Sequence, residues 1–203
     1  MKSGRLITFE GLDGSGKSTQ CARLAVELEG EGQAVVRTRE PTDGEWGGRI
    51  RAMARSGDTV VPSEELRWFV EDRRQHVRDL IAPALAAGSA VLCDRYFHST
   101  VAYQGARGFD PWRLLAQAEA EFPVPECTLL LVLPASVGIE RVRARGGTPE
   151  PAFEREGFLE RVGEIFDALA EQRSPVRRID AIGSEDAVAA RVRAALDDAG
   201  RLA

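Results

Sequence analysis

The chain predicts an α/β fold: a doubly wound, five-stranded parallel sheet with helices on both faces and a short lid. Three observations predict it. Five short apolar runs are near-continuous rather than alternating, as in strands covered on both faces. Segments with helical spacing separate those runs, the alternation that builds βαβ units. Finally, the loop from Gly11 to Ser18 joins the first run directly to the first helical segment.

Arg5 to Glu10 reads as the first buried strand. Gly11-Leu12-Asp13-Gly14-Ser15-Gly16-Lys17-Ser18 then fills every constrained position of G-x-x-x-x-G-K-[ST], and Thr19 opens the helix that follows. In this strand–loop–helix setting, glycines let successive backbone N–H groups turn inward around phosphate oxygens, and the helix N-terminus adds its positive end. Lys17 would reach the β- and γ-phosphates and the Ser18 hydroxyl would ligate Mg²⁺. The chain therefore reads as a binder of nucleoside triphosphate with a P-loop NTPase fold. Leu24, Ala25 and Leu28 give Thr19–Glu29 its helical stripe, and Gly30-Glu31-Gly32 ends it. Ala34 to Arg37 is the second strand. A long helix is expected over Ser63–Ala86, with Ser63 as N-cap before Glu64 and Glu65, and a kink or break near Pro83. Ala87-Gly88-Ser89 turns into the third strand, Ala90 to Cys93. Helices at Pro111–Glu121, Val137–Arg145, Glu156–Ala170 and Asp186–Ala199 alternate with strands at Thr128 to Leu133 and, more weakly, Val176 to Ile179. With no internal repeat, low-complexity tract or linker, residues 1–203 read as one domain, with the lid at about 141–156.

Hydrophobic content of 43% and charged content of 29% are those of a soluble globular protein. A net charge of −5 argues against non-specific binding of nucleic acid, which needs a basic face. No apolar run approaches the ~20 residues of a membrane span, and no leader precedes the first strand. Cys21, Cys93 and Cys127 are odd in number and form no C-x-x-C pair, so they read as buried reduced thiols of a cytoplasmic protein.

A second group of residues bears on what the nucleotide is used for. Asp94-Arg95-Tyr96 directly follows the run Val91-Leu92-Cys93. The carboxyl ends of strands in open α/β sheets face the ligand crevice. There Asp94 could hold Mg²⁺ or its waters, and Arg95 could clamp an acceptor phosphate; an ordinary Asp–Arg pair capping a strand would leave the same trace. Thr38-Arg39-Glu40-Pro41 follows the second strand, and Gly48-Arg49-Ile50-Arg51 opens the next element. Phe69 and Arg73 stand four apart on one helix face, where a ring and a guanidinium could stack on a planar base and bond its edge. A core Phe beside a solvated Arg fits that spacing equally well.

Taken in order, these stretches, with Phe9-Glu10-Gly11, Asp72-Arg73, Ile81-Ala82-Pro83-Ala84-Leu85 and Ala102-Tyr103-Gln104-Gly105, resemble thymidylate kinases from about residue 5 to about residue 170. The resemblance implies Mg²⁺-dependent transfer of the γ-phosphoryl group of ATP to dTMP, giving dTDP and ADP, by a homodimer. It implies that Arg51 and Arg95 hold the dTMP phosphate, that Phe69 stacks on thymine, and that Arg73 and Gln104 bond the base. It also implies that Thr100 stands close to the base, that Tyr103 crowds the ribose 2′ position, that Glu40 is an acid of the substrate pocket, and that Asp13 lies near the acceptor's sugar and phosphate. Asp94 and Ser18 would hold the metal, with Asp94 organising metal and water rather than accepting a proton.

The lid departs from the family pattern. In one family form an arginine sits within the phosphate loop, where this chain has Gly14, and the basic residue common before a Phe-Glu pair is here Ala152. Arg141, Arg143 and Arg145 lead into Gly146-Gly147, a candidate hinge, and Arg145, nearest to it, is the expected lid arginine. Arg155 is a further candidate. His76 and His98 read as surface or satisfied histidines and Trp46, Trp68 and Trp112 as core or interface residues. Two other readings compete: a kinase for another nucleoside monophosphate or a deoxynucleoside, and a non-catalytic nucleotide-binding switch module.

Overall fold

The computed structural model describes residues 4–56, 60–146, 156–172 and 175–202. Five strands, β1 (Arg5–Gly11), β2 (Val35–Arg39), β3 (Ala90–Asp94), β4 (Cys127–Val132) and β5 (Val176–Asp180), form one parallel sheet in the order β2-β3-β1-β4-β5. Pleating divides the side chains of the central strands between two cores. Leu6 of β1 and Leu130 of β4 point into one, while Ile7, Phe9, Leu129 and Leu131 point into the other.

Helices α1 (Lys17–Gly30) and α9 (Glu185–Leu202) cover the second face. On the first face lie α3 (Pro62–His76), α5 (Phe97–Ala106), α6 (Pro111–Glu121) and α8 (Glu156–Gln172). Helices α2 (Glu45–Ser56), α4 (Ala82–Ala86) and α7 (Ala135–Ala144) complete the described elements.

The long helix expected over Ser63–Ala86 is three pieces: α3, a π-helical turn at Val77–Ile81, and α4. Pro83 has no N–H for residue 79 and its ring crowds that carbonyl, so the helix widens just before it. The N-cap is Val61 rather than Ser63, because Pro62 takes the first helical position that its fixed φ suits. Two helices had no sequence forecast. Helix α5 is buried from Phe97 to Gln104 and shows no polar stripe, and α2 carries Gly47 and Gly48 near its start. A Cβ at Gly47 would lie 1.9 Å from the Thr42 carbonyl oxygen, so close packing outweighs helix propensity there.

Arg39 and Phe9 both pair with Asp94, which aligns the carboxyl ends of β2, β3 and β1 along one edge of the sheet. All the chemistry-bearing loops leave from that edge.

Candidate functional site

At the β1 end, the chain turns through Gly11 to Gly16 and enters α1 at Lys17, with Gly16 as a left-handed N-cap. No side chain caps α1 and no acid occupies its first turn, so its first N–H groups are left for an anionic ligand. The buried Lys17 ammonium donates to the Leu12 carbonyl (2.8 Å) and lies 3.9 Å from Asp13. Burial and the like charge of Arg95 pull its pKa down to about 8, against the opposing pull of Asp13, Asp94 and Glu10. The loop also touches α7 backbone to backbone. A Cβ at Gly14 (φ 80°) would lie 2.3 Å from the Gly138 carbonyl oxygen, and one at Gly138 would lie 2.5 Å from the Asp13 carbonyl oxygen.

The Ser18 hydroxyl donates to Asp94 Oδ2, while Asp94 Oδ1 is buried with no hydrogen-bond partner among the described residues. A hydroxyl and a carboxylate oxygen with spare acceptor capacity are ligands that fit Mg²⁺, which takes few protein oxygens and keeps water or phosphate in the rest of its shell. Among the described residues no cluster of three or more His, Cys, Asp or Glu could hold a metal alone.

Arg95 stands at the centre. Its φ of 69° is unusual for a residue with a Cβ. The backbone N–H bonds to Phe9 (2.9 Å), and the guanidinium reaches Asp13 (2.6 Å), Ser99 (3.1 Å) and the Gly11 carbonyl (3.4 Å). Burial alone would raise the Asp13 carboxyl, but the charges of Arg95 and Lys17 prevail and hold it at about 2. Beneath lies Glu10, fully buried, accepting the Tyr96 N–H (2.9 Å) and the Ser99 hydroxyl.

Across the crevice, the loop after β2 and helices α3 and α5 share a buried polar chain. Arg73 donates two hydrogen bonds to Glu40 Oε2 (2.9 and 2.6 Å) and one to the Thr100 hydroxyl (2.9 Å). Glu40 Oε1 meets His76 Nδ1 (3.0 Å), and His76 Nε2 meets Thr38 (2.7 Å). Asp72 holds the turn after the cis Glu40–Pro41 peptide by accepting from the Thr42 N–H (2.8 Å) and hydroxyl (2.6 Å). Arg51 leans on that turn through the Pro41 (3.0 Å) and Thr42 carbonyls and Asp43 (3.2 Å).

One cavity of about 440 Å³ joins both ends. Asp13, Gly14, Gly16, Lys17, Ser18 and Thr19 line it from the loop, Asp94 and Arg95 from β3 and its end. Glu40, Arg51, Phe69, Arg73, Thr100 and Tyr103 line it from the other side, and Arg145 lines it from the end of α7. Gly11 and Ser15 of the same loop are outside that lining. Among the substrate-site residues named from the sequence, Gln104 alone is off the lining. Its amide is fully buried, donates to Glu65 Oε1 (2.7 Å) and leaves Oε1 without a partner among the described residues.

Arg141 bonds the Gly14 (3.4 Å) and Ala181 (3.1 Å) carbonyls, and Arg143 does not line the cavity. Gly146 ends α7 at φ 73°. Gly147, Ala152, Phe153, Glu154 and Arg155, and with them most of the expected lid, lie outside the described residues. Both histidines are buried: His76 is satisfied, whereas burial and the charge of Arg73 push His98 down to about 3, and its Nδ1 has no partner among the described residues. Trp68 is half-buried and packs against the first core, Trp46 is half-buried and Trp112 is exposed. All three cysteines are buried and free. Among the described residues no helix is long and apolar enough to cross a membrane.

Sequence reasoning named Glu40 and Arg73 separately and missed that they pair with each other. It also missed Asp72 and His76 as partners of that site, and Glu10 and Glu65 beneath Arg95 and Gln104. The spacing Asp72-Arg73-x-x-His76 on one helix was the available signal.

A family model described as thymidylate kinase matches residues 9–192. A thymidylate kinase of Akkermansia muciniphila is 47% identical over 196 residues, covering 96% of this chain and 92% of its own. One from Desulfotalea psychrophila is 44% identical over 91% of this chain and 90% of its own. The crystal structure of thymidylate kinase from Ehrlichia chaffeensis superposes with a TM-score of 0.76 at 27% identity, covering 96% of this chain and 99% of that one.

Proposed function

The chain belongs to the thymidylate kinase family, and from that premise we propose that it transfers the γ-phosphoryl group of Mg-ATP to dTMP, giving dTDP and ADP. The observation that carries the reading is the single cavity, which runs from Lys17 and Ser18 to Phe69, Arg73 and Thr100. Two anionic nucleotides can thus meet end to end.

In this reading the loop N–H groups and Lys17 hold the β- and γ-phosphates of ATP, and Arg95 with Arg51 holds the dTMP phosphate. Phe69 stacks on thymine beside Arg73 and Thr100, Tyr103 crowds the 2′ position, and Glu40 fixes Arg73. Ser18 and Asp94 would hold Mg²⁺, which when bound neutralises charge on the β- and γ-phosphate oxygens. An acceptor phosphate oxygen is already anionic at neutral pH, so no strong base is needed. Catalysis is then positioning plus neutralisation of charge spreading over the transferring group. Arg145 supplies the lid cation. The reading extends to one domain, a homodimer and the cytoplasm, where three free thiols would stay reduced.

The test is ADP formation from Mg-ATP with dTMP against dUMP, dCMP, dGMP, dAMP and their ribose forms. The expected result is turnover strongest with dTMP. Preference for another acceptor would reassign the base pocket, and ATP binding without turnover on any acceptor would overturn the kinase reading.

A further inference from the structure

We infer that Glu10 is a positioning residue for the acceptor phosphate: its buried carboxylate fixes the backbone and the guanidinium of Arg95 at once. The inference rests on the reading of Arg95 as the arginine that holds that phosphate.

Two contacts carry it. Glu10 Oε1 takes the Tyr96 N–H (2.9 Å), the peptide immediately after the Arg95 Cα. The Arg95 N–H is held by Phe9 (2.9 Å), the neighbour of Glu10 on β1. The two bonds bracket a residue at φ 69°, a conformation that persists in a residue bearing a Cβ only where its surroundings fix it.

The second contact sets direction. An ionised carboxylate accepts only and a guanidinium donates only. Ser99, between them, must therefore spend its single hydroxyl proton on Glu10 Oε2 and turn a lone pair to Arg95 Nη1, 3.1 Å away. With Glu10 ionised, as at pH 8, the chain Arg95→Ser99→Glu10 has one sense only, and it leaves Arg95 Nη2 on Asp13 (2.6 Å), which lines the cavity. Glu10 itself is fully buried and does not line the cavity, so it acts through Arg95 rather than on a ligand.

Glu10→Gln keeps the shape but replaces one acceptor by a donor aimed at Ser99. The experiment is calorimetric titration of dTMP and of thymidine, the same ligand without its phosphate, at pH 8 into the parent, Glu10→Gln and Ser99→Ala. For Glu10→Gln we expect dTMP Kd to rise about tenfold and thymidine Kd to change by less than about twofold. Ser99→Ala should move the same ratio in the same direction by about threefold. A loss shared equally by dTMP and thymidine, or an unchanged ratio in a folded variant, would overturn the inference. If Glu10→Gln does not fold, Ser99→Ala decides alone by the same ratio. Should the parent prefer another monophosphate, the dTMP reading fails separately, and the comparison runs with that monophosphate and its nucleoside.

Discussion

At the donor end the cavity is walled by backbone: a glycine-rich turn, an uncapped helix start and one buried ammonium. At the acceptor end it is walled by side chains, with Arg73 buried against Glu40, Glu40 against His76, and His76 against Thr38. The first arrangement comes from eight consecutive residues and presents N–H groups whose identity does not depend on side chains. The second draws on β2, α3 and α5 and depends on each partner for its neighbour's desolvated charge. A backbone-built end should tolerate loss of a cation with its fold intact, whereas a side-chain-built end should lose fold and function together.

Three experiments bear on that contrast, the largest effect first. Arg145→Ala, at the exposed end of α7, should lower kcat by ~10³-fold or more if it is the lid arginine, with melting temperature and dTMP affinity near those of the parent. An unchanged kcat would remove Arg145 from the chemistry. Glu40→Gln should do the opposite. It deprives a buried guanidinium of its counter-charge, which costs about 3 kcal/mol, so melting should fall by about 10 °C and dTMP binding should weaken alongside it. A variant as stable as its parent would mean that the buried ion pair is dispensable.

The smallest effect is a pH dependence. Burial pushes the Glu10 carboxyl up to about 7 from its ordinary 4.5, against the pull of Ser99, Arg95 and the Tyr96 N–H. Between those values the folded chain keeps a proton that the unfolded chain releases, so this group's contribution to stability declines as pH rises through the window. Glu10→Gln lacks that titration. The melting temperature of the variant relative to the parent should therefore climb by a few degrees from pH 5 to 7.5 and level off above. A constant difference across that range would place the Glu10 pKa at its ordinary value.

The same contrast explains what could be read from the letters. The phosphate loop is contiguous, so its residues and context identify it; the apolar runs mark β1, β3 and β4 because both faces of the sheet are covered there, whereas the edge strands β2 and β5 are only partly buried and leave shorter runs. Helix α5 was illegible because burial on nearly every side erases the amphipathic period, and α2 because Gly47 answers to a carbonyl five residues back rather than to helix propensity. At the acceptor end the residues that line the cavity were reachable through an ordered set of motifs. Their supports were not, since Glu40 and His76 stand 36 residues apart and only the fold brings them together. Gln104 shows the limit most clearly: its motif was legible, but the partner that takes its amide, Glu65, lies 39 residues away.

The contact between Gly14 and Gly138 constrains how this chain can change. An arginine at position 14, the place the sequence resemblance gives to a cation in another form of the family, would drive a side chain into the backbone of α7, since even a Cβ there would come within 2.3 Å of the Gly138 oxygen. Any side chain at position 14 therefore requires a shift of α7 first.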